Sequence, residues 1–128
     1  MKKLLALLLT LFVLISCLGI ASCFYNKIEG TYYFYSFTSS WGGEGKVGDF
    51  YDGELLKKEN FIIALKKDKS CFYYKDGDYY EGSWIKDGKK VVLLLEDYGE
   101  AIILTFNKNT LTQFTDYGYE DIKIVYKK

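Results

Sequence analysis

The sequence predicts an all-β fold: an antiparallel meander of about eight short strands, closed or half-closed into a small barrel. Three observations carry this expectation. From residue 30 onwards, short apolar and aromatic runs recur, many of them alternating with polar residues as a half-buried strand requires. The polar links between them, built from Asp, Gly, Asn, Lys and Ser, are too short for a crossover helix, so neighbouring strands must run antiparallel. Finally, the chain holds 13 Tyr, 9 Phe and 2 Trp, and of these only Phe12 precedes residue 23. Aromatic side chains fit the pleated, half-buried surface of a strand.

The first 22 residues stand apart. Met1-Lys2-Lys3 places two positive charges before an apolar stretch, Leu4 to Ile15, in which Thr10 is the one polar residue. Ser16 and Cys17 interrupt this stretch before it reaches the roughly 20 residues of a comfortable membrane span. A basic start, a short apolar core and small residues after it describe a signal peptide. An uncleaved helix from Leu4 to Phe24 is the alternative. Residues 1–22 are therefore read as a leader, 23–29 as a linker and 30–128 as a barrel-like domain.

The strands then follow in order. Gly30-Thr31-Tyr32-Tyr33-Phe34-Tyr35-Ser36-Phe37 is too rich in aromatic and β-branched residues for a helix and opens the sheet. Ser39 to Gly45 reads as a loop, and Lys46 to Leu56 as an ill-defined segment with at most a short strand. Phe61, Ile63 and Leu65 alternate with Ile62, Ala64 and Lys66; Lys67 to Ser70 turns, and Cys71 to Lys75 is the next strand. After Asp76-Gly77, Tyr80, Gly82 and Trp84 share one face. Asp87-Gly88 is the strongest hairpin signal, because both residues tolerate the positive φ of a type I′ turn. Val91 to Leu95, Ala101 to Phe106 and Leu111 to Phe114 are strands separated by Asp97-Tyr98-Gly99 and Asn107-Lys108-Asn109. Asp116-Tyr117-Gly118 turns into a closing strand with Ile122, Ile124 and Tyr126 on one face.

A flat meander would leave two unpaired edges, and Ile62, Val92, Leu94 and Ile102, which lie off the main alternation, would give it a greasy second face. Rolling into a barrel removes the edges, and Gly82 permits the bend this needs. A flatter sheet packed on the N-terminal segment is the alternative. Strands this short do not suit a lipid-spanning barrel, which needs about 9 to 11 residues per crossing.

Composition narrows the functions. The chain has 17 Lys, two of them in the leader, against 17 Asp plus Glu, and neither Arg nor His. Sequence-reading nucleic-acid binders lean on bidentate Arg and backbone binders on positive excess, so nucleic acid is not an expected partner. Without His, the chain lacks the usual acid–base group near neutral pH and the usual zinc or copper ligand. Cys71, between Ser70 and Phe72 in a strand-like run, reads as a buried, inert thiol. No cofactor and no metal are expected.

Leu14-Ile15-Ser16-Cys17 and Ile20-Ala21-Ser22-Cys23 both resemble a bacterial lipobox, and Cys23 is the better match because Ala21 and Ser22 are both small. With Gly30-Thr31-Tyr32 and the run Asp76-Gly77, Gly82-Ser83-Trp84, Asp87-Gly88, Val91-Val92-Leu93, the chain resembles small bacterial lipoproteins with a lipocalin-like meander β-barrel domain. The resemblance implies diacylglycerol on Cys23, an acyl anchor in a bacterial membrane, a place in the cell envelope outside the cytoplasm, and a barrel that can hold a ligand. The glycine-rich first third departs from the usual spacing of such domains.

The expected function is a non-catalytic binding or adaptor module for a small apolar ligand, a glycan or a protein. Tyr32, Phe34, Trp41, Tyr80 and Trp84 are the candidate ligand-binding aromatics. Trp41 is singled out because it sits in a Ser/Gly loop, where a large ring has no local packing reason to be. A carboxylate-based hydrolase is the enzymatic alternative, resting on Asp76 and Asp78 or on Glu96, Asp97 and Glu100. Turn carboxylates more often bond their own backbone, and neither group has the spacing of a calcium loop. A purely structural envelope lipoprotein is the remaining alternative.

Overall fold

A computed structural model of the chain describes residues 27–128. The segment expected to be a leader, with Cys17, and the expected lipidation site Cys23 lie outside the described residues. The strands are β1 (Gly30–Ser39), β2 (Glu44–Lys46), β3 (Phe50–Tyr51), β4 (Glu54–Leu55), β5 (Phe61–Leu65), β6 (Ser70–Lys75), β7 (Asp78–Asp87), β8 (Lys90–Leu95), β9 (Ile102–Asn107), β10 (Thr110–Asp116) and β11 (Asp121–Lys127). A 3-10 turn at Lys58–Asn60 precedes β5, and there is no α-helix among the described residues.

Eight strands, β1 and β5 to β11, form a closed antiparallel meander. Each pairs with the next, and β11 returns to pair with β1, from Tyr33↔Lys127 to Ser39↔Ile122. Closure removes both unpaired edges, the liability that an open meander of this length would carry.

The segment expected to be ill defined has a specific place. β5 pairs with the first half of β1, Gly30 to Tyr33, while β2 pairs with Ser36 to Thr38 further along the same strand. The part of β1 that β5 leaves unpaired is thus capped by β2. The small β3–β4 hairpin that follows leans against this half of the barrel through Tyr51, whose ring meets Phe37 edge-on at 4.8 Å.

The pairing register of β1 with β11 shifts between Phe34 and Ser36, a bulge at Tyr35. Before it, Tyr32 and Phe34 face inward and are buried. One extra residue reverses the parity, so Phe37 becomes the next ring turned to the interior.

Two turns refine the expectations. Asp76 and Gly77 both have positive φ, 47° and 91°, and link directly paired Lys75 and Asp78, so the type I′ turn is here. At the other Asp-Gly pair, Asp87 is itself paired with Lys90, the loop is Gly88-Lys89, and Gly88 alone has positive φ, 60°. This is the pattern of a type II′ turn, and it corrects the type I′ expectation for Asp87-Gly88. A second correction concerns Ile102. It is buried beside Leu104 and Phe106, and Ile103 takes the outer face, because Ile102 is paired with inward-facing Leu93.

One half of the barrel is solid. Trp84, Tyr32, Ile63, Leu93, Leu104 and Leu111 are fully buried there, packed as a single cluster. The polar tips of the large rings find partners: the Trp84 indole donates to the Lys66 carbonyl at 2.9 Å, and the Tyr32 hydroxyl to the Ile28 carbonyl at 2.6 Å. No buried side-chain polar atom among the described residues lacks a partner. Burying each large ring or aliphatic side chain contributes about 1.5–3 kcal/mol relative to exposure, and none of that gain is cancelled by an orphaned polar group.

Candidate functional site

The other half of the barrel is hollow. A cavity of about 460 Å³ opens at the end formed by the C-terminus of β1, the β6–β7, β8–β9 and β10–β11 turns, and the β3–β4 hairpin. Its walls are Phe34, Phe37, Phe61, Ile122 and Ile124, with Tyr51 and Leu56 supplied by the hairpin segment. Phe34 and Phe61 meet at 5.6 Å between ring centroids.

The floor is phenolic. Tyr73 lines the cavity and is buried, and fully buried Tyr126 donates its hydroxyl to Gln113 Oε1 at 2.7 Å. Burial first, then the neighbouring Tyr73, pushes the Tyr126 phenol well above its ordinary value. Burial likewise raises Tyr73. Tyr98 is raised too, by burial and then by the charge of Glu100. These phenols therefore stay protonated near neutral pH, and the two that line the cavity, Tyr73 and Tyr98, present it with hydroxyls and ring faces rather than with bases or nucleophiles.

The rim carries charge of mainly one sign. Asp52, Glu54, Asp76 and Glu100 line the mouth, with Lys75 the one cationic side chain among the lining residues. Beside it lies an exposed aromatic shelf. Trp41 is 69% exposed, packs against Tyr119 with ring centroids 5.5 Å apart and planes tilted by 42°, and donates its indole N–H to the Tyr119 carbonyl at 2.8 Å. Tyr117, which lines the cavity, lies 6.4 Å from Tyr119, so the rings run from the shelf to the mouth.

Of the five candidate aromatics, Phe34 lines the cavity. Tyr80 stands behind the wall, edge-on to the lining residue Tyr98 at 4.9 Å. Trp41 is on the shelf, in the turn between β1 and β2. Tyr32 and Trp84 lie in the solid half, both fully buried. The structure thus gathers Phe34 with residues the sequence did not single out, namely Phe37, Phe61, Tyr73, Tyr98 and Tyr117. Alternation was a usable signal for two of them. Phe61 shares the face of Ile63, and Tyr73 lies two positions from buried Cys71.

The carboxylates of the hydrolase alternative are divided. Asp76 and Glu100 line the mouth, whereas Asp78, Glu96 and Asp97 do not. Perturbation falls elsewhere: Asp116 and Asp121 are paired across β10 and β11, and the charge of Asp116 raises the pKa of Asp121 on the exposed outside. No cluster of three or more potential metal ligands occurs among the described residues. No family model, no curated protein and no solved structure matches the chain.

Proposed function

We propose that this chain is a lipid-anchored, extracytoplasmic binding module that takes a small organic molecule in the hollow half of its barrel. One observation carries the reading: a cavity of about 460 Å³, walled by aromatic and aliphatic side chains, with the phenols of Tyr73, Tyr98 and Tyr117 among its lining. That size lies within the roughly 300–1,000 Å³ typical of small-molecule sites, and apolar walls with a few convergent polar groups are their usual chemistry. The lipocalin-like resemblance and the lipobox at Cys23 support the same reading, the first for a ligand in the barrel mouth and the second for the anchor.

The rim refines the ligand. Four carboxylates against one lysine favour a positively charged group at the mouth, and aromatic faces attract a cation through their quadrupoles. The ligand that fits is a compact aromatic or aliphatic body bearing an amine or quaternary ammonium. Benzyltrimethylammonium and its neutral isostere neopentylbenzene are suitable probes. Calorimetry on the full chain should show the cation binding more tightly than the isostere, and Thr115→Trp, which fills the cavity, should abolish both. Equal binding in the filled variant would refute the cup as the site.

A second reading has its own observation. The Trp41–Tyr119 shelf is exposed and held in place by the indole hydrogen bond, a form suited to stacking on a sugar ring. Glycan binding lost in Trp41→Ala but retained in Thr115→Trp would favour it. The anchor is tested separately. Palmitate incorporation should disappear in Cys23→Ser and persist in Cys17→Ser.

A further inference from the structure

The formal net charge of the chain is zero, yet the topology gathers most carboxylates at the cavity end, where Lys46, Lys57 and Lys75 also lie, and a set of turn lysines at the other. In an antiparallel meander, successive turns alternate between the two ends. The β6–β7, β8–β9 and β10–β11 turns at the cavity end bring Asp76, Glu96, Asp97, Glu100, Glu120 and their neighbours. The β5–β6, β7–β8 and β9–β10 turns at the solid end bring Lys66, Lys67, Lys69, Lys89, Lys90 and Lys108, all exposed. The carboxylates at this end are Glu29, Asp68 and Asp87. Of these, Asp68 is held by the Ser70 hydroxyl and backbone amide.

The same end receives the upstream chain. Lys128 follows β11 and donates its ammonium to the Lys27 carbonyl, so residue 27 enters the barrel beside the lysine-bearing turns. The apolar run 4–15 and both lipobox cysteines lie upstream of that point in the sequence. Whether the membrane is met through an acylated cysteine or through the apolar run itself, the barrel hangs from its basic end.

We infer that this lysine-bearing end rests on an anionic bilayer surface and holds the acidic cup pointing away from it. Anionic headgroups attract nearby Lys side chains, with a reach set by a Debye length of about 8–10 Å at physiological salt. The turn lysines fall within that reach when the end touches the surface, and the carboxylate-bearing turns fall outside it across the length of the barrel. The same surface repels the acidic mouth, so attraction and repulsion select one orientation. This inference shares the membrane-anchor reading and is independent of what the cup binds.

The test uses the full chain mixed with vesicles of phosphatidylcholine alone or of phosphatidylcholine with phosphatidylglycerol. Flotation is measured, and lysine acetylation is read by mass spectrometry. In the anionic vesicles, acetylation of Lys66, Lys67, Lys69, Lys89, Lys90 and Lys108 should fall severalfold, while Lys46, Lys57 and Lys75 at the other end are unchanged. High salt should restore the first group. Flotation with anionic but not neutral vesicles would support the inference even if the anchor reading fails. Equal acetylation at the two ends of anionic-vesicle-bound protein would overturn it. So would equal protection on neutral vesicles, which would indicate tethering alone. Protection by soluble heparin with none on anionic vesicles would overturn it in favour of a polyanion partner.

Discussion

Gly82 and Leu94 approach so closely across the β7–β8 ladder that a Cβ on the glycine would fall 1.9 Å from the Leu94 carbonyl oxygen. The obstacle is backbone, which cannot swing aside as a side-chain tip can. Gly82→Ala is therefore expected to destabilise the barrel by about 3 kcal/mol or more through overpacking. Gly88→Ala, with the backbone strain of a positive φ but open space around it, should cost less, about 1–2 kcal/mol. Urea denaturation of the two variants checks the ranking, and equal midpoints would contradict it.

The two tryptophans should behave as opposites. Trp84 is fully buried with its N–H bonded, so Trp84→Ala leaves a cavity, removes one of the two donors to the Lys66 carbonyl, and should cost about 3–5 kcal/mol. Trp41 is exposed, and Trp41→Ala should change stability by no more than about 0.5 kcal/mol. In Trp41→Phe the remaining emission should be blue-shifted until the protein unfolds. Water-like emission from the native variant would contradict the burial of Trp84.

Cys71 is buried and its thiol is pushed up to about 11 by desolvation. In a chain carrying Cys17→Ser and Cys23→Ser, a maleimide should leave the native protein unlabelled and react once it is unfolded. The linkage sign follows from the raised value. Above the pKa of an unfolded thiol, the native state binds more protons than the unfolded state, so this thiol's contribution to stability falls as pH climbs towards 11. Cys71→Ala should flatten that part of the pH–stability curve.

Asp116 and Asp121 face each other as a cross-strand pair, and the repulsion raises the pKa of Asp121. A raised carboxylate pKa disfavours the folded state above that pKa, and the penalty vanishes as pH falls below the unfolded value. Asp121→Asn should therefore raise the thermal midpoint at neutral pH and converge with the parent in acid. A constant difference across pH would show that something other than this charge pair is responsible.

Much of the barrel was legible because alternation survives in single strands. The shared face of Tyr80, Gly82 and Trp84, and that of Ile122, Ile124 and Tyr126, are both turned inward as their spacing implies. Register was harder to read. Asp76-Gly77 and Asp87-Gly88 are the same dipeptide, yet they sit one position apart relative to their ladders and make different turns. The cavity was harder still. Phe37 reaches it only because the bulge at Tyr35 reverses parity, and no local residue type announces a bulge. Tyr51 and Tyr98 come from a hairpin and a turn whose course depends on the closed barrel beneath them. Tyr32 and Trp84 carry the same aromatic signature as the lining residues, and only their depth in the solid half separates them.

The seam between β1 and β11 makes the first and last strands of the domain neighbours. A ring of this kind has no preferred starting point. Joining Lys128 to Lys27 through a short linker and opening the chain at Gly99 would preserve every pairing of the eight strands. It also has no stable unfinished form: a chain lacking its final strand presents β1 and β10 as bare templates for another copy. Domain-swapped or fibrous by-products are thus the characteristic hazard of C-terminal truncation.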